Sequence, residues 1–329
     1  MSDKVCIVYS HHKIGDLIWQ LPYIKSICNH HKTKSTLVVR ETTQAKELLA
    51  DLDYLDNFFY NKFRKKIFYW VDVIKLYFFF KKKKFTHLYI LDKINRPAIA
   101  AKLANIQNII GPGIKNQKKW LTCKEFLKDE DWELNYSEQS QKFLKINCID
   151  VKNKIPEIII NPNRLKNLNT NFESYDGKKV GFGVDSFEDY KMWPEEYFSE
   201  LANKLNEQGF ADYFYLICGP KKSHVAKRII KLSNKNMFVD CSNLNLLEIS
   251  KIILNCKMFI GNNSGPLNLS AALKIKSYGL FANSPISQLK YSNIQTIVPN
   301  NYKDDLFIKD RNEMKKLTVD HVLDIVTKS

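Results

Sequence analysis

No stretch of this 329-residue chain reaches the roughly 18 uninterrupted apolar residues that a membrane-crossing helix needs, which excludes a helical span. An apolar leader is missing as well. Met1 to Tyr9 already reads as a buried strand, so the chain is expected not to be exported. The seven cysteines, an odd number, show no CxxC spacing, which predicts reduced thiols in the cytoplasm. No helix-turn-helix pattern, RNP-like aromatic motif or metal-finger spacing occurs, so the usual nucleic-acid-binding classes lack support. No repeat of solenoid type is present. Acid is scarce relative to base: 35 Asp and Glu face 51 Lys and Arg.

The resulting charge of +16 invites a polyanionic partner, either nucleic acid or an anionic membrane surface. A Lys/Asn/Ile-rich compositional bias, visible between Asn161 and Asn171, would produce the same sum with no partner at all. With 44% apolar and 26% charged residues the chain is globular, and its length suits two domains.

Apolar runs and helical periodicities alternate along the sequence. Strands are expected at Val5–Tyr9, Thr36–Val39, His87–Leu91, Asn108–Ile110 and Glu157–Ile160, with a short apolar piece at Asp53–Phe59. Helices are expected from Asp16, over Thr43–Leu49, Arg96–Asn105 and Glu138–Leu144. Ile67–Phe80, rich in aromatic and aliphatic residues and followed by Lys81 to Lys84, has two readings. It is a helix packed on a sheet, or an interfacial helix laying aromatic residues into a membrane. A crossover helix is required here, which favours the first.

The Asn-rich stretch from Asn161 to about Glu173 is the expected linker, dividing the chain into domains of residues 1–165 and 166–329. The alternation then restarts. Strands are expected at Lys179–Val184, Tyr213–Cys218, Met237–Val239 and Ser277–Phe281, with helices at Pro194–Leu205, Lys222–Leu232, Leu247–Leu254 and Thr318–Val326. Such alternation predicts α/β architecture with two Rossmann-like, doubly wound domains. Sheets of this kind bind ligands at the carboxyl ends of their strands, so a cleft between the halves is the expected site.

The most informative stretch is Phe259 to Leu273. An apolar strand end at Lys257–Ile260 leads into Gly261-Asn262-Asn263-Ser264-Gly265, and Pro266 is suited to open the helix that follows. Strand, small-residue turn and helix N-terminus together make an anion site, because backbone N–H groups converge where the helix dipole favours negative charge. An ordinary βα turn would look the same.

Three loops at strand carboxyl ends carry the candidate chemistry: Lys13-Ile14-Gly15-Asp16, Asp185 to Trp193 with Lys191, and Gly261 to Gly265. With Pro22, the Trp193-Pro194-x-x-x-Phe198 run, the Gly219-Pro220 turn and the Met314 to Val322 ending, their order resembles the heptosyltransferases of glycosyltransferase family 9. The resemblance spans nearly the whole chain. It implies the GT-B arrangement, two Rossmann-like domains facing across a cleft. It also implies inverting, metal-independent transfer of a sugar from ADP-heptose or a similar nucleotide-sugar donor to a lipid-linked or saccharide acceptor. No cofactor, metal or nucleic acid is implied.

Carried onto this sequence, Asp16 matches the general base; a carboxylate at a loop–helix junction can take the acceptor hydroxyl's proton, or simply cap the helix. Lys191 matches the lysine that meets the donor phosphates, and is otherwise an exposed lysine before a helix. Ser264 and Gly265 match donors to the same diphosphate, while Lys13 and Gly15 belong to the acceptor loop. Asn263 and Asn268 occupy donor-site positions where the family usually has Asp and His, and the acidic residue often found after the Gly-Pro turn is replaced by Lys221 to His224. These departures leave the donor's sugar and base open. They also leave open a competing reading: a homologue that binds nucleotide or saccharide without turnover. A peripheral contact with the inner face of the cytoplasmic membrane would give the positive charge a purpose.

Overall fold

The computed structural model describes residues 3–64, 66–168, 175–233, 236–304 and 307–328. The chain divides into two compact units, Met1–Ile160 and Asn161–Ser329. Of the stretch expected to link them, 161–168 is described and contains a short helix, while 169–173 lies outside the described residues.

In the first unit, strands β1 (Val5–Val8), β2 (Ser35–Val39), β3 (Leu55–Tyr60), β4 (His87–Ile90) and β5 (Asn108–Ile110) form one parallel sheet in the order β3-β2-β1-β4-β5. Helices α1 (Ile14–Ile18), α2 (Leu21–His31), α3 (Ala45–Leu49), α4 (Phe68–Lys83), α5 (Arg96–Leu103) and α6 (Tyr136–Ile146) follow the strands or close the unit. Both faces of the sheet are covered, so β1 and β2 are buried at every position, as near-continuous apolar runs require. The single helix expected from Asp16 is two, parted at Trp19 and Gln20, because Pro22 starts a fresh turn. Glu157–Ile160 is not a strand. Ile158 and Ile160 are buried while Ile159 is exposed, so the segment packs by alternate side chains but joins no ladder.

The second unit contains α7 (Pro162–Lys166), β6 (Lys179–Gly183), α8 (Glu195–Glu207), β7 (Tyr213–Ile217), α9 (Ser223–Lys231), β8 (Phe238–Asp240), α10 (Leu246–Leu254), β9 (Met258–Asn262), α11 (Gly265–Ala272), β10 (Ser277–Leu280), β11 (Ile294–Ile297), α12 (Asn312–Lys315) and α13 (Val319–Lys328). Its sheet is parallel with order β11-β10-β9-β6-β7-β8. Strand β11 escapes the sequence reading because Ile294-Gln295-Thr296-Ile297 is too short and too polar to stand out. In both sheets the connections leave the central strands in opposite directions, at β1/β4 and at β6/β9. These are the topological switch points where α/β sheets open a crevice.

The largely aliphatic core of the second unit contains an aromatic cluster. Phe182 packs on Phe198 and Phe214, ring centroids 5.4 and 5.0 Å apart, and Trp193 stands edge-on to Phe198 at 5.0 Å. Gly183 and Gly261 face each other across β6 and β9. A Cβ on Gly261 would lie 2.9 Å from the Gly183 Cα and from the Phe259 ring. Neither glycine has positive φ, so close approach, not backbone freedom, is what demands glycine there. Gly261→Ala is therefore expected to cost about 1–3 kcal/mol through overpacking against backbone that cannot yield; the urea midpoint of the purified variant measures it.

Candidate active site

Each unit presents polar groups at its own switch point, and each is described by itself. In the first unit the chain leaves β1 through Tyr9, Ser10 and His11 and enters α1. Lys13 occupies the cap position of that helix, Gly15 is buried within it, and Asp16 stands in its first turn, where a carboxylate complements the dipole. Asp16 is therefore not the cap. Its side chain keeps about 30% of its surface exposed, and Oδ2 lies 3.4 Å from Nδ1 of His11.

His11 was not singled out from the sequence, although it lies in the same loop. Its ring stacks on Tyr9, with centroids 4.8 Å apart and planes 8° off parallel, and meets Tyr136 edge-on at 5.7 Å. Burial works against a charge on His11, but the Asp16 hydrogen bond and the nearby Asp92 outweigh it, so its pKa lies above the ordinary histidine value. Asp92, just past β4, is buried and accepts hydrogen bonds from the backbone N–H groups of Ser10 and Ile94. Burial raises its pKa against those bonds. Tyr9, His11, Gln20, Asp92, Trp132 and Tyr136 border a hollow that is open to solvent, with His11 linking it to Asp16.

Two arginines frame this end of the sheet. Arg40, just past β2, donates to the carbonyls of Ser10, Lys62 and Phe63, tying the loops after β1 and β3 together. Arg96, at the first position of α5, is buried over the Tyr69 ring at 4.7 Å, and its Nε and Nη1 have no hydrogen-bond partner among the described residues. A buried guanidinium in that state is costly unless water or an anion reaches it.

In the second unit the loop after β6 and the turn after β9 are bound to each other. The Trp193 N–H donates to the side-chain oxygen of Asn262 at 2.9 Å, and the Ser186 hydroxyl donates to the Asn263 carbonyl at 3.0 Å. The Trp193 indole N–H is satisfied by the Leu317 carbonyl at 2.8 Å. Asn262, fully buried, is another residue that sequence reasoning missed; only its place at a strand end beside the turn could have flagged it. Lys191 ends a short 3-10 turn before Trp193. Its ammonium lies 3.3 Å from Glu188, 5.4 Å from the Phe307 ring and 5.7 Å from the Tyr190 ring.

Strand β9 runs through Asn262, Ser264 is the extended cap residue of α11, and Gly265 is its first residue, so Pro266 sits one position later than the sequence suggests. The Ser264 hydroxyl makes no capping bond, and its buried oxygen has no partner among the described residues. Asn263 directs its amide to the Ser284 hydroxyl at 3.4 Å, and Asn268 is half-buried in the first turns of α11. The turn thus combines the N-terminus of α11, where Pro266 supplies no N–H but Gly265 and Leu267 do, with an uncommitted hydroxyl, which suits an oxyanion or phosphate.

Nothing in the sequence spacing suggests a metal site, yet the fold gathers Asp3, His31 and His87 so that their ligand atoms lie within 4.8 Å of one another. This group stands at the amino ends of β1 and β4, the opposite end from Asp16. Its polar atoms satisfy each other: His31 lies 2.8 Å from Asp3 on one nitrogen and 2.8 Å from the Tyr89 hydroxyl on the other. The His31 bond holds the Asp3 carboxyl below the usual range, and burial followed by the His31 charge lowers His87.

Comparison with known proteins agrees with this architecture. Residues 81–318 match the profile of Glycosyltransferase family 9 (heptosyltransferase). A lipooligosaccharide heptosyltransferase 2 from Campylobacter jejuni is 26% identical over 183 residues, 53% of this chain and 54% of that protein. The chain thus spans about half the length of the curated relatives it matches. Among solved structures, an E. coli ADP-heptose lipopolysaccharide heptosyltransferase II superposes with a TM-score of 0.79 at 16% identity, covering 99% of this chain and 98% of that one. A glycosyltransferase family 9 protein from Veillonella parvula gives 0.81 at 14% identity, covering 100% and 98%. An E. coli heptosyltransferase solved with ADP-2-deoxy-2-fluoro heptose gives 0.74 at 17% identity, covering 99% of each chain. At such identities these likenesses speak for the fold, which is that of the GT-B heptosyltransferases, with two Rossmann-like domains. With the family profile matching well over half of its residues, the chain belongs to glycosyltransferase family 9, the heptosyltransferases.

Proposed function

We propose that this protein is a glycosyltransferase that moves a heptose or related sugar from an ADP-type nucleotide donor to a lipopolysaccharide-core or other saccharide acceptor, with inversion and without a metal. The observation that carries this reading is the Asp16 carboxylate: part-exposed, in the loop–helix junction after a central strand, and held by His11, which lines an open hollow. In the reaction an acceptor hydroxyl oxygen attacks the anomeric carbon while Asp16 takes its proton. The bond from that carbon to the diphosphate oxygen breaks, and the electron pair departs with the nucleoside diphosphate.

His11 orients the carboxylate and offers a second station for the proton. Lys191, the Ser264 hydroxyl and the first N–H groups of α11, Gly265 among them, meet the charge that grows on the leaving group. Glu188 holds Lys191 until donor phosphates compete for it. Asn263 and Asn268 contact the donor as neutral groups. Lys13 and Gly15 shape the acceptor loop, and the uncommitted guanidinium atoms of Arg96 suit an anionic acceptor. A lipid-borne acceptor places the enzyme at the inner face of the cytoplasmic membrane. The engaged amide of Asn263 favours one competing reading, a homologue that holds nucleotide without turning it over.

Transfer assays with ADP-heptose in the presence of a chelator, read by release of ADP, test the proposal directly. Asp16→Asn is expected to lower turnover by at least about 10²-fold while calorimetry shows donor affinity retained. Equal turnover in the variant would remove Asp16 from the mechanism, and donor binding without transfer by the native chain would favour the competing reading. Lys191→Met should lower kcat by about 10²-fold, with the loss largest for donors that keep both phosphates.

His11 gives a pH test. Its folded pKa is raised, so its stabilising contribution is complete below the unfolded value and is lost as pH rises through the raised one. The urea midpoint difference between the native chain and His11→Gln should therefore be larger at pH 6 than at pH 9.

A further inference from the structure

Helix α4 is apolar on both sides. Its inner face places Val73, Leu76 and Phe80 in the core of the first unit. Its outer face carries Ile67, Trp70, Val71, Ile74 and Phe78, which are 81, 59, 49, 53 and 64% exposed. At 100° per residue the spacing i, i+3, i+4, i+7, i+11 puts all five within one arc of about 100°, so they form a continuous stripe along the helix. Phe68, 51% exposed, flanks it.

Soluble chains rarely leave such a contiguous apolar strip bare unless something covers it. The charges around it identify the cover. Lys81, Lys82, Lys83 and Lys84 are exposed at the C-terminal end, and Lys62 and Lys66 are exposed at the other. The only acid on the helix, Asp72, is buried and bonded to Arg64 at 2.9 Å, so no acid of α4 itself offsets those lysines on the outer face. A protein partner would need a matching apolar groove with acid at both ends. An anionic bilayer supplies an apolar layer beneath a negative surface everywhere. At 16 residues α4 is about 24 Å long, and no helix among the described residues is long and apolar enough to cross a membrane.

We infer that α4 is a membrane-docking helix, lying in the plane of an anionic lipid surface. The aromatic and aliphatic stripe sits at the headgroup–acyl boundary and the lysines sit on the headgroups. This inference does not rest on the transfer chemistry, because docking requires neither donor nor acceptor.

The test is sedimentation of the full chain with vesicles of phosphatidylcholine alone or with about a third phosphatidylglycerol, with no donor present. Binding is expected to the anionic vesicles, with a blue shift of Trp fluorescence that Trp70→Ser removes. Trp70→Ser with Phe78→Glu should weaken binding at least tenfold, and reversing Lys81 and Lys82 to Glu should weaken it roughly fivefold per charge removed. Thermal midpoints should hold within a few degrees because every altered side chain is exposed. The Asp16→Asn chain should bind vesicles like the native one, which separates docking from transfer. Binding that ignores these substitutions, or absence of binding to anionic vesicles, would overturn the assignment. So would a native dimer that the Trp70/Phe78 variant dissolves, since the stripe would then belong to a second copy of the chain.

Discussion

In each sheet the connections leave two adjacent central strands in opposite directions, and most of the candidate chemistry depends on the gap this opens. Tyr9, His11 and Asp16 follow β1, Asp92 and Arg96 follow β4, Lys191 follows β6, and Ser264 follows β9. Groups from loops far apart in sequence meet there, Ser10 with Asp92 in the first unit and Ser186 with Asn263 in the second. Strand order therefore fixes where chemistry can occur before any particular side chain decides what it is.

The groups that stiffen these places are mostly backbone-directed. Arg40 spends its guanidinium on three carbonyls, Asp92 spends its carboxylate on two N–H groups, and Asn262 spends its amide oxygen on the Trp193 N–H. Each bond is worth about 1–3 kcal/mol when one partner is charged or buried, and each joins a loop to a strand end. Among the residues proposed to touch substrate, the Ser264 hydroxyl is left uncommitted, while Asp16 meets His11, Lys191 meets Glu188 and Asn263 meets Ser284. This division of labour, with fixed supports around side chains that a substrate can engage, is what preorganisation requires.

Much of the architecture is legible in the residues. Apolar runs bounded by turn residues mark the central strands to within a residue or two, and the Asn263–Pro266 sequence marks the start of α11. What stays hidden is partnership. The His11–Asp16 contact crosses a loop that hydrophobic periodicity treats as blank. Asp92 and Asn262 look like ordinary polar residues at strand ends, because their value lies in bonds to Ser10 and Trp193, 82 and 69 positions away. Glu157–Ile160 has the composition of a strand but no neighbour to pair with, whereas Ile294–Ile297 has little of that composition and gains its place from β10. The Asp3, His31, His87 group is likewise assembled only by the sheet.

The outer stripe of α4 also bears on the net charge of +16. A bare greasy strip on every copy would drive copies together in solution, and mutual repulsion between strongly cationic molecules opposes that contact at a distance. The lysine excess then acts as colloidal protection, and it is relinquished where opposite charge replaces water. Such a molecule should tolerate crowding in dilute buffer better than in concentrated salt, where the protective field shrinks to a few ångströms while the attraction between strips persists.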